Sequence, residues 1–125
     1  MYNRFHACRH CGNVIGMIED KGAAIMCCGE KMQELVPNTS DASVEKHVPS
    51  AEVKGSSVYV KIGSDPHPMT DDHSISWVYL ETDRGGQLKK LPVNGSAEVK
   101  FALTEEKPVS VYAYCNKHGL WKTDI

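Results

Sequence analysis

The sequence predicts an all-β protein in two parts, a small N-terminal metal-binding hairpin followed by an antiparallel β-sandwich of about seven short strands. Three observations carry this reading. Apolar residues in the C-terminal two thirds recur with period two, the signature of strands with one buried face. Turn formers separate those runs at short intervals. Four of the five cysteines crowd into residues 8 to 28, in a stretch too poor in apolar side chains to build a core of its own.

The first part reads Cys8-Arg9-His10-Cys11-Gly12-Asn13, an apolar run Val14–Ile18, a charged turn at Glu19-Asp20-Lys21-Gly22, and Ala23–Met26 leading into Cys27-Cys28-Gly29. Two short strands joined by the charged turn would carry a cysteine pair at each end. So few apolar residues cannot offset the ordering entropy of the segment, and a bound metal, the rest of the chain or a second subunit must supply the difference. Pro37-Asn38-Thr39-Ser40-Asp41, rich in turn formers, reads as a linker, giving a metal domain over 1–36 and a sandwich over 37–125.

In the second part, Ser57–Ile62 alternates, and Ala97, Val99, Phe101 and Leu103 share one face of their segment. Ile75–Leu80 and Val109–Tyr114 are rich in β-branched and aromatic residues. Asp83-Arg84-Gly85-Gly86 and Asn94-Gly95 supply turns between them. This is the pattern of an immunoglobulin-like sandwich, with no convincing helical period anywhere.

With 125 residues, 41% hydrophobic and 24% charged, the chain has the size and composition of a globular domain with a small appendage. No apolar run approaches the roughly 20 residues that span a bilayer, which excludes a membrane helix. A net charge of −2 with scattered basic residues leaves no electrostatic footprint for nucleic acid. The segment Met1–Cys8 lacks the apolar core of a secretory signal, so a cytoplasmic location is expected.

Five cysteines, an odd number, point to metal rather than disulfides in a reducing compartment. Cys8-x2-Cys11 and the adjacent Cys27-Cys28, fifteen residues further on, can converge on one tetrahedral ion. Thiolates this close repel one another unless a cation neutralises them. Zinc and iron both accept such a set, and spacing does not choose between them. His6 and His10 read as surface residues, since four sulfurs already fill the shell. The other four histidines, His47, His67, His73 and His118, sit in loops or at strand edges. Singly each would be an ordinary polar residue, but Cys115-x2-His118 has metal-ligand spacing, and Pro49, Pro66 and Pro68 stiffen the loops at His47 and His67.

Those residues give the chain a specific resemblance. Cys-x2-Cys with vicinal cysteines, Glu45-Lys46-His47-Val48-Pro49, Pro66-His67-Pro68-Met69 and Cys115-Asn116-Lys117-His118-Gly119-Leu120-Trp121 resemble desulfoferrodoxins, the two-iron class of superoxide reductase, over essentially the full length. The resemblance implies a desulforedoxin-like first domain whose iron is held by Cys8, Cys11, Cys27 and Cys28. It implies a second iron held by His47, His67, His73, His118 and Cys115, leaving one octahedral position open. The implied activity is reduction of superoxide to hydrogen peroxide without release of dioxygen. Lys46 would attract the substrate anion, and Glu45 would close the open position of oxidised iron. A rubredoxin-like electron donor and a homodimer are implied as partners. Backbone N–H groups of the turn from Asn116 to Gly119 are expected to hydrogen-bond the Cys115 sulfur, and Trp77 and Trp121 to line the core or the site wall. The rival readings are a non-enzymatic electron carrier working through the four-cysteine site and a zinc-ribbon interaction module.

Overall fold

In the computed structural model, which describes residues 4–39, 44–64 and 67–125, with side chains from Lys46 onward in the second stretch, the fold is all-β apart from one helical turn. Contacts cluster into two compact units, Met1–Val36 and Pro37–Ile125.

In the first unit, β1 (Phe5–Ala7) is flanked by β2 (Val14–Gly16) and β5 (Gln33–Glu34), while β3 (Met26–Cys27) pairs with β4 (Glu30–Lys31). The strand partners differ from those expected. Val14–Gly16 pairs with Phe5–Ala7 across the first cysteine pair, instead of with Ala23–Met26 across the charged turn. The reason is local: the Cys8 N–H donates to Asn13 O at 2.8 Å and the Gly12 N–H to Cys8 O at 3.0 Å, so the chain reverses within the cysteine knuckle itself. Gly12 has φ +81°, a conformation that strains any residue with a Cβ. Only Phe5, Cys8 and Met32 are buried apolar residues among those described here, whereas Ile18 and Met26 are exposed.

The second unit is the expected sandwich. One sheet has the order β10 (Glu98–Ala102), β7 (Ser57–Ile62), β6 (Pro49–Lys54). The other has the order β12 (Gly119–Asp124), β11 (Pro108–Cys115), β8 (Ile75–Thr82), β9 (Gly85–Lys90), all pairs being antiparallel. The alternation read for Ser57–Ile62 and Ala97–Leu103 is the alternation of burial in those segments, and Val58, Val60 and Ile62 from β7 and Phe101 from β10 meet Val78 and Leu80 from β8 and Val111 and Ala113 from β11 between the sheets. Gly85 and Gly86 belong to β9, so the reversal is a two-residue turn at Asp83-Arg84 with Thr82 opposite Gly85. Gly86 leaves room for Tyr79, whose ring and hydroxyl would collide with a Cβ at that position.

The segment expected as a linker is already part of this unit. Asn38 donates its N–H to Leu120 O at 3.0 Å, and its side chain both donates to Lys122 O and accepts from Lys122 N–H, extending the edge at β12. Ser40 and Asp41 lie outside the described residues.

Candidate metal centres

Two clusters of metal-ligating side chains stand out among the described residues, one in each unit. In the first, the sulfurs of Cys8, Cys11, Cys27 and Cys28 all lie within 4.8 Å of one another. Cys11 and Cys27 are 3.6 Å apart, close to the edge of about 3.8 Å for a tetrahedron with metal–sulfur bonds of about 2.3 Å. Cys28 and Gly29 take φ +55° and +74°; this left-handed reversal turns the chain just after the vicinal pair. The two halves of the site are tied by Glu30, whose carboxylate accepts from Arg9 and contacts His10 Nε2 at 2.6 Å. His10 is therefore at the surface, as expected, whereas His6 is half-buried on β1 with Nδ1 enclosed and without a partner.

The thiols show the electrostatic cost of this crowding. Hydrogen bonding to the neighbouring Cys11 sulfur pushes Cys28 up to about 12 and raises Cys27, while the backbone N–H groups of Cys11 and His10 bring Cys8 down to about 6. The first thiolate forms readily and the later ones are resisted, a penalty that a cation at the centre removes. All five cysteines are free thiols.

The second cluster is drawn from three places in the sandwich. His47 ends the helical turn α1 (Val44–His47) and is 2% exposed. His67 and His73 belong to the loop before β8, and Cys115 and His118 to the β11–β12 hairpin, where Cys115 is opposite Gly119. A register shift between Tyr114 and Cys115 brings the cysteine opposite Ile75, next to the His73 loop.

The four rings form a square. Neighbouring centroids are separated by 4.6 Å for His47–His67, 4.8 Å for His67–His73, 5.0 Å for His73–His118 and 4.8 Å for His118–His47, with interplanar angles of 77° to 87°. The diagonal His47–His73 is 6.3 Å. His118 Nδ1 and His47 Nε2 approach to 3.0 Å, the edge expected between adjacent ligands on octahedral bonds of about 2.1 Å. The Cys115 sulfur lies within 4.8 Å of donor nitrogens of His47, His67 and His73 and 3.9 Å from Nδ1 of His118. A donor close to all four corners of a square lies near its axis, and this one is fully buried.

The protonation pattern suits a cation. His67 Nδ1 lies 2.7 Å from Pro68 O, an atom that only accepts, so Nδ1 carries the proton and Nε2 presents a lone pair. That Nε2, and Nε2 of His73, are buried without any hydrogen-bond partner. Burial also holds His67 down at about 4 and lowers His73, with repulsion from the other histidines adding to it. Two imidazoles with orphaned buried nitrogens, beside two further histidines and one thiol, are a donor set in want of a metal. Five donors of this kind exceed the four of a structural zinc site and leave one octahedral position to a small ligand.

Around the ligands, Trp121 stacks on His47 with centroids 5.1 Å apart and forms a wall of the site, while Trp77 stacks on Tyr114. Lys46 is exposed on α1; the side chain of Glu45 lies outside the described residues. One expectation needs correction: the Asn116 N–H donates to Ser74 O at 3.2 Å and is not free for the Cys115 sulfur, because the hairpin loop is laced to the His73 loop. The Asn116 side chain completes that lacing, accepting from Ser74 N–H at 3.0 Å and donating to Asp72 O at 3.0 Å. Sequence reasoning missed this role, since only its place between Cys115 and His118 hinted at it.

A profile of the desulfoferrodoxin family matches residues 39–124, the unit that carries the square of histidines. The chain belongs to the desulfoferrodoxin family. Relatives cover both units: the desulfoferrodoxin of Nitratidesulfovibrio vulgaris is 37% identical over 95% of this chain and 94% of its own, and a desulfoferrodoxin homolog of Archaeoglobus fulgidus 36% identical over 94% of each. Among solved structures, the superoxide reductase of Treponema pallidum superposes with a TM-score of 0.81 at 41% identity, covering 99% of both chains. The 1Fe superoxide reductase of Giardia intestinalis matches with a TM-score of 0.55 at 29% identity, covering 65% of this chain and 97% of that one.

Proposed function

We infer that this chain is a superoxide reductase carrying two iron ions, and that Met1–Val36 is the four-cysteine domain and Pro37–Ile125 the catalytic one. The observation that carries the reading is the square of four imidazoles with a buried thiol near its axis. Cys8, Cys11, Cys27 and Cys28 would hold the first iron; His47, His67, His73, His118 and Cys115 the second. When bound there, ferrous iron supplies the single electron that, with two protons, converts superoxide to hydrogen peroxide.

The chain's own groups do the rest. The hydrogen bond from His67 Nδ1 to Pro68 O holds that ring's tautomer and direction, and the Trp121 stack holds His47. Burial of the Cys115 sulfur keeps water from the thiolate, so its donation goes to the metal. Lys46 would attract the superoxide anion to a protein whose net charge of −2 would otherwise repel it, and Glu45 would supply a carboxylate able to close the open position of bound oxidised iron.

Regeneration calls for an electron donor of the rubredoxin type. The sparse core of the first unit, with Ile18 and Met26 exposed, supports a homodimer. Free thiols throughout support a cytoplasmic setting.

Metal analysis with visible spectroscopy and pulse radiolysis tests the reading. Two irons per chain are expected, with peroxide formed from superoxide one to one and no dioxygen evolved, and Cys115→Ser should abolish the ferric-thiolate absorption of the second centre while sparing the colour of the first. One iron per chain would leave the electron-carrier reading, and colourless zinc the ribbon module.

A further inference from the structure

Asn116 sits between two ligands of the second centre and reaches a third. Its side chain and backbone together grip both neighbours of His73: Oδ1 accepts from Ser74 N–H at 3.0 Å, the backbone N–H donates to Ser74 O at 3.2 Å, and Nδ2 donates to Asp72 O at 3.0 Å. These contacts span 42 and 44 residues of sequence. The His73 loop also carries its own bonds, from Thr70 N–H to His73 O at 2.9 Å and from His73 N–H to Thr70 Oγ1 at 3.2 Å. Those bonds shape the loop but do not set its distance from the hairpin that bears Cys115 and His118. Among the described residues, Asn116 makes the side-chain connection that does.

We propose that Asn116 is a positioning residue for the second centre, setting His73 against the Cys115 sulfur and thereby the strength of the bond from thiolate to metal. The inference rests on the iron-site reading above. Three bonds on one residue directly after Cys115 convert a displacement of either loop into a displacement of both. An alanine there removes the two side-chain bonds and keeps the backbone bond to Ser74 O and every ligand residue. Asparagine suits the role because its amide offers one acceptor and one donor, the two groups that Ser74 N–H and Asp72 O require. Aspartate keeps the acceptor and sets a carboxylate against the Asp72 carbonyl, so it breaks one of the two side-chain bonds selectively.

The test compares Asn116→Ala and Asn116→Asp with the parent protein, each loaded with iron. Readouts are the ferric-thiolate absorption of the second centre, its electron paramagnetic resonance, retention of that iron against a chelator, and thermal midpoint. Both variants should shift the absorption and the resonance, and Asn116→Ala should weaken retention of the second iron roughly 10- to 100-fold, the usual effect of losing a partner that orients a ligand. The first centre, in the other unit, serves as internal reference and should be unchanged. A lowered midpoint with unaltered absorption in both variants would make Asn116 a simple loop staple and overturn the proposal, as would retention within twofold of the parent. If Asn116→Ala does not fold, the Asp variant alone decides between these outcomes. Failure of the parent protein itself to take a second, coloured iron would instead overturn the iron-site reading.

Discussion

Replacing Lys46 by alanine removes one positive charge from the residue preceding His47, on a protein with net charge −2. The α1 turn buries His47 while Lys46 stays exposed, so the ammonium is solvated and its pull on an incoming anion is that of a charge in high dielectric. For a solvated ammonium about 7 Å from an approaching anion, the scale of an extended lysine's own reach, Coulomb's law sets the size of the effect. At that distance the attraction is about 0.6 kcal/mol for a dielectric of about 80 and about 1.2 kcal/mol for about 40. These correspond to about a three- to sevenfold loss in the second-order rate at low salt. At an ionic strength of about 0.15 M the Debye length is about 8 Å, leaving some 40% of the interaction, so the loss shrinks to about twofold. Pulse radiolysis at two ionic strengths measures both numbers, and Lys46→Arg should restore the rate because only the charge is required. Equal rates for parent and alanine variant at low salt, or equal salt dependence, would refute the steering role.

Three further outcomes follow from the packing. Phe101 is fully buried between the sheets, and Phe101→Ala should cost about 3–5 kcal/mol of sandwich stability in urea titrations of the iron-loaded protein; a loss below about 1.5 kcal/mol would mean the core is not seated on this ring. Stripping the first iron should unfold the first unit, because Phe5, Cys8 and Met32 are its only buried apolar residues among those described, and amide exchange in Phe5–Ala7 and Val14–Gly16 should lose its protection; persistent protection in the iron-free protein would contradict this. Asp124 is held below the usual carboxylate range by the Ser110 hydroxyl at 2.8 Å and then by Lys122. Folding lowers this pKa, so the interaction stabilises the fold above the unfolded value near 3.9 and is lost as pH falls through the folded value. Asp124→Asn should therefore show a weaker fall in stability on acidification than the parent, and parallel curves for the two would count against the pairing.

What the sequence determined by itself was whatever short range controls. Alternation in Ser57–Ile62 and Ala97–Leu103 placed their buried faces correctly because a strand's side chains alternate regardless of what lies opposite. The four-thiolate set was legible for a similar reason, since its two pairs lie within 21 residues and each is built by its own tight turn. Tertiary structure decided the rest. Strand pairing in the first unit went across the cysteine knuckle, because the reversal at Cys8–Asn13 closes its backbone hydrogen bonds before the charged turn can. The square of histidines joins residues as far apart as His47 and His118, 71 positions in sequence, and no spacing rule encodes such a meeting. It was visible beforehand only through family resemblance. Asn116 belongs to the same class: its partners are carbonyls and an N–H of a distant loop, groups every residue possesses, so only the packed sandwich could reveal which ones it meets.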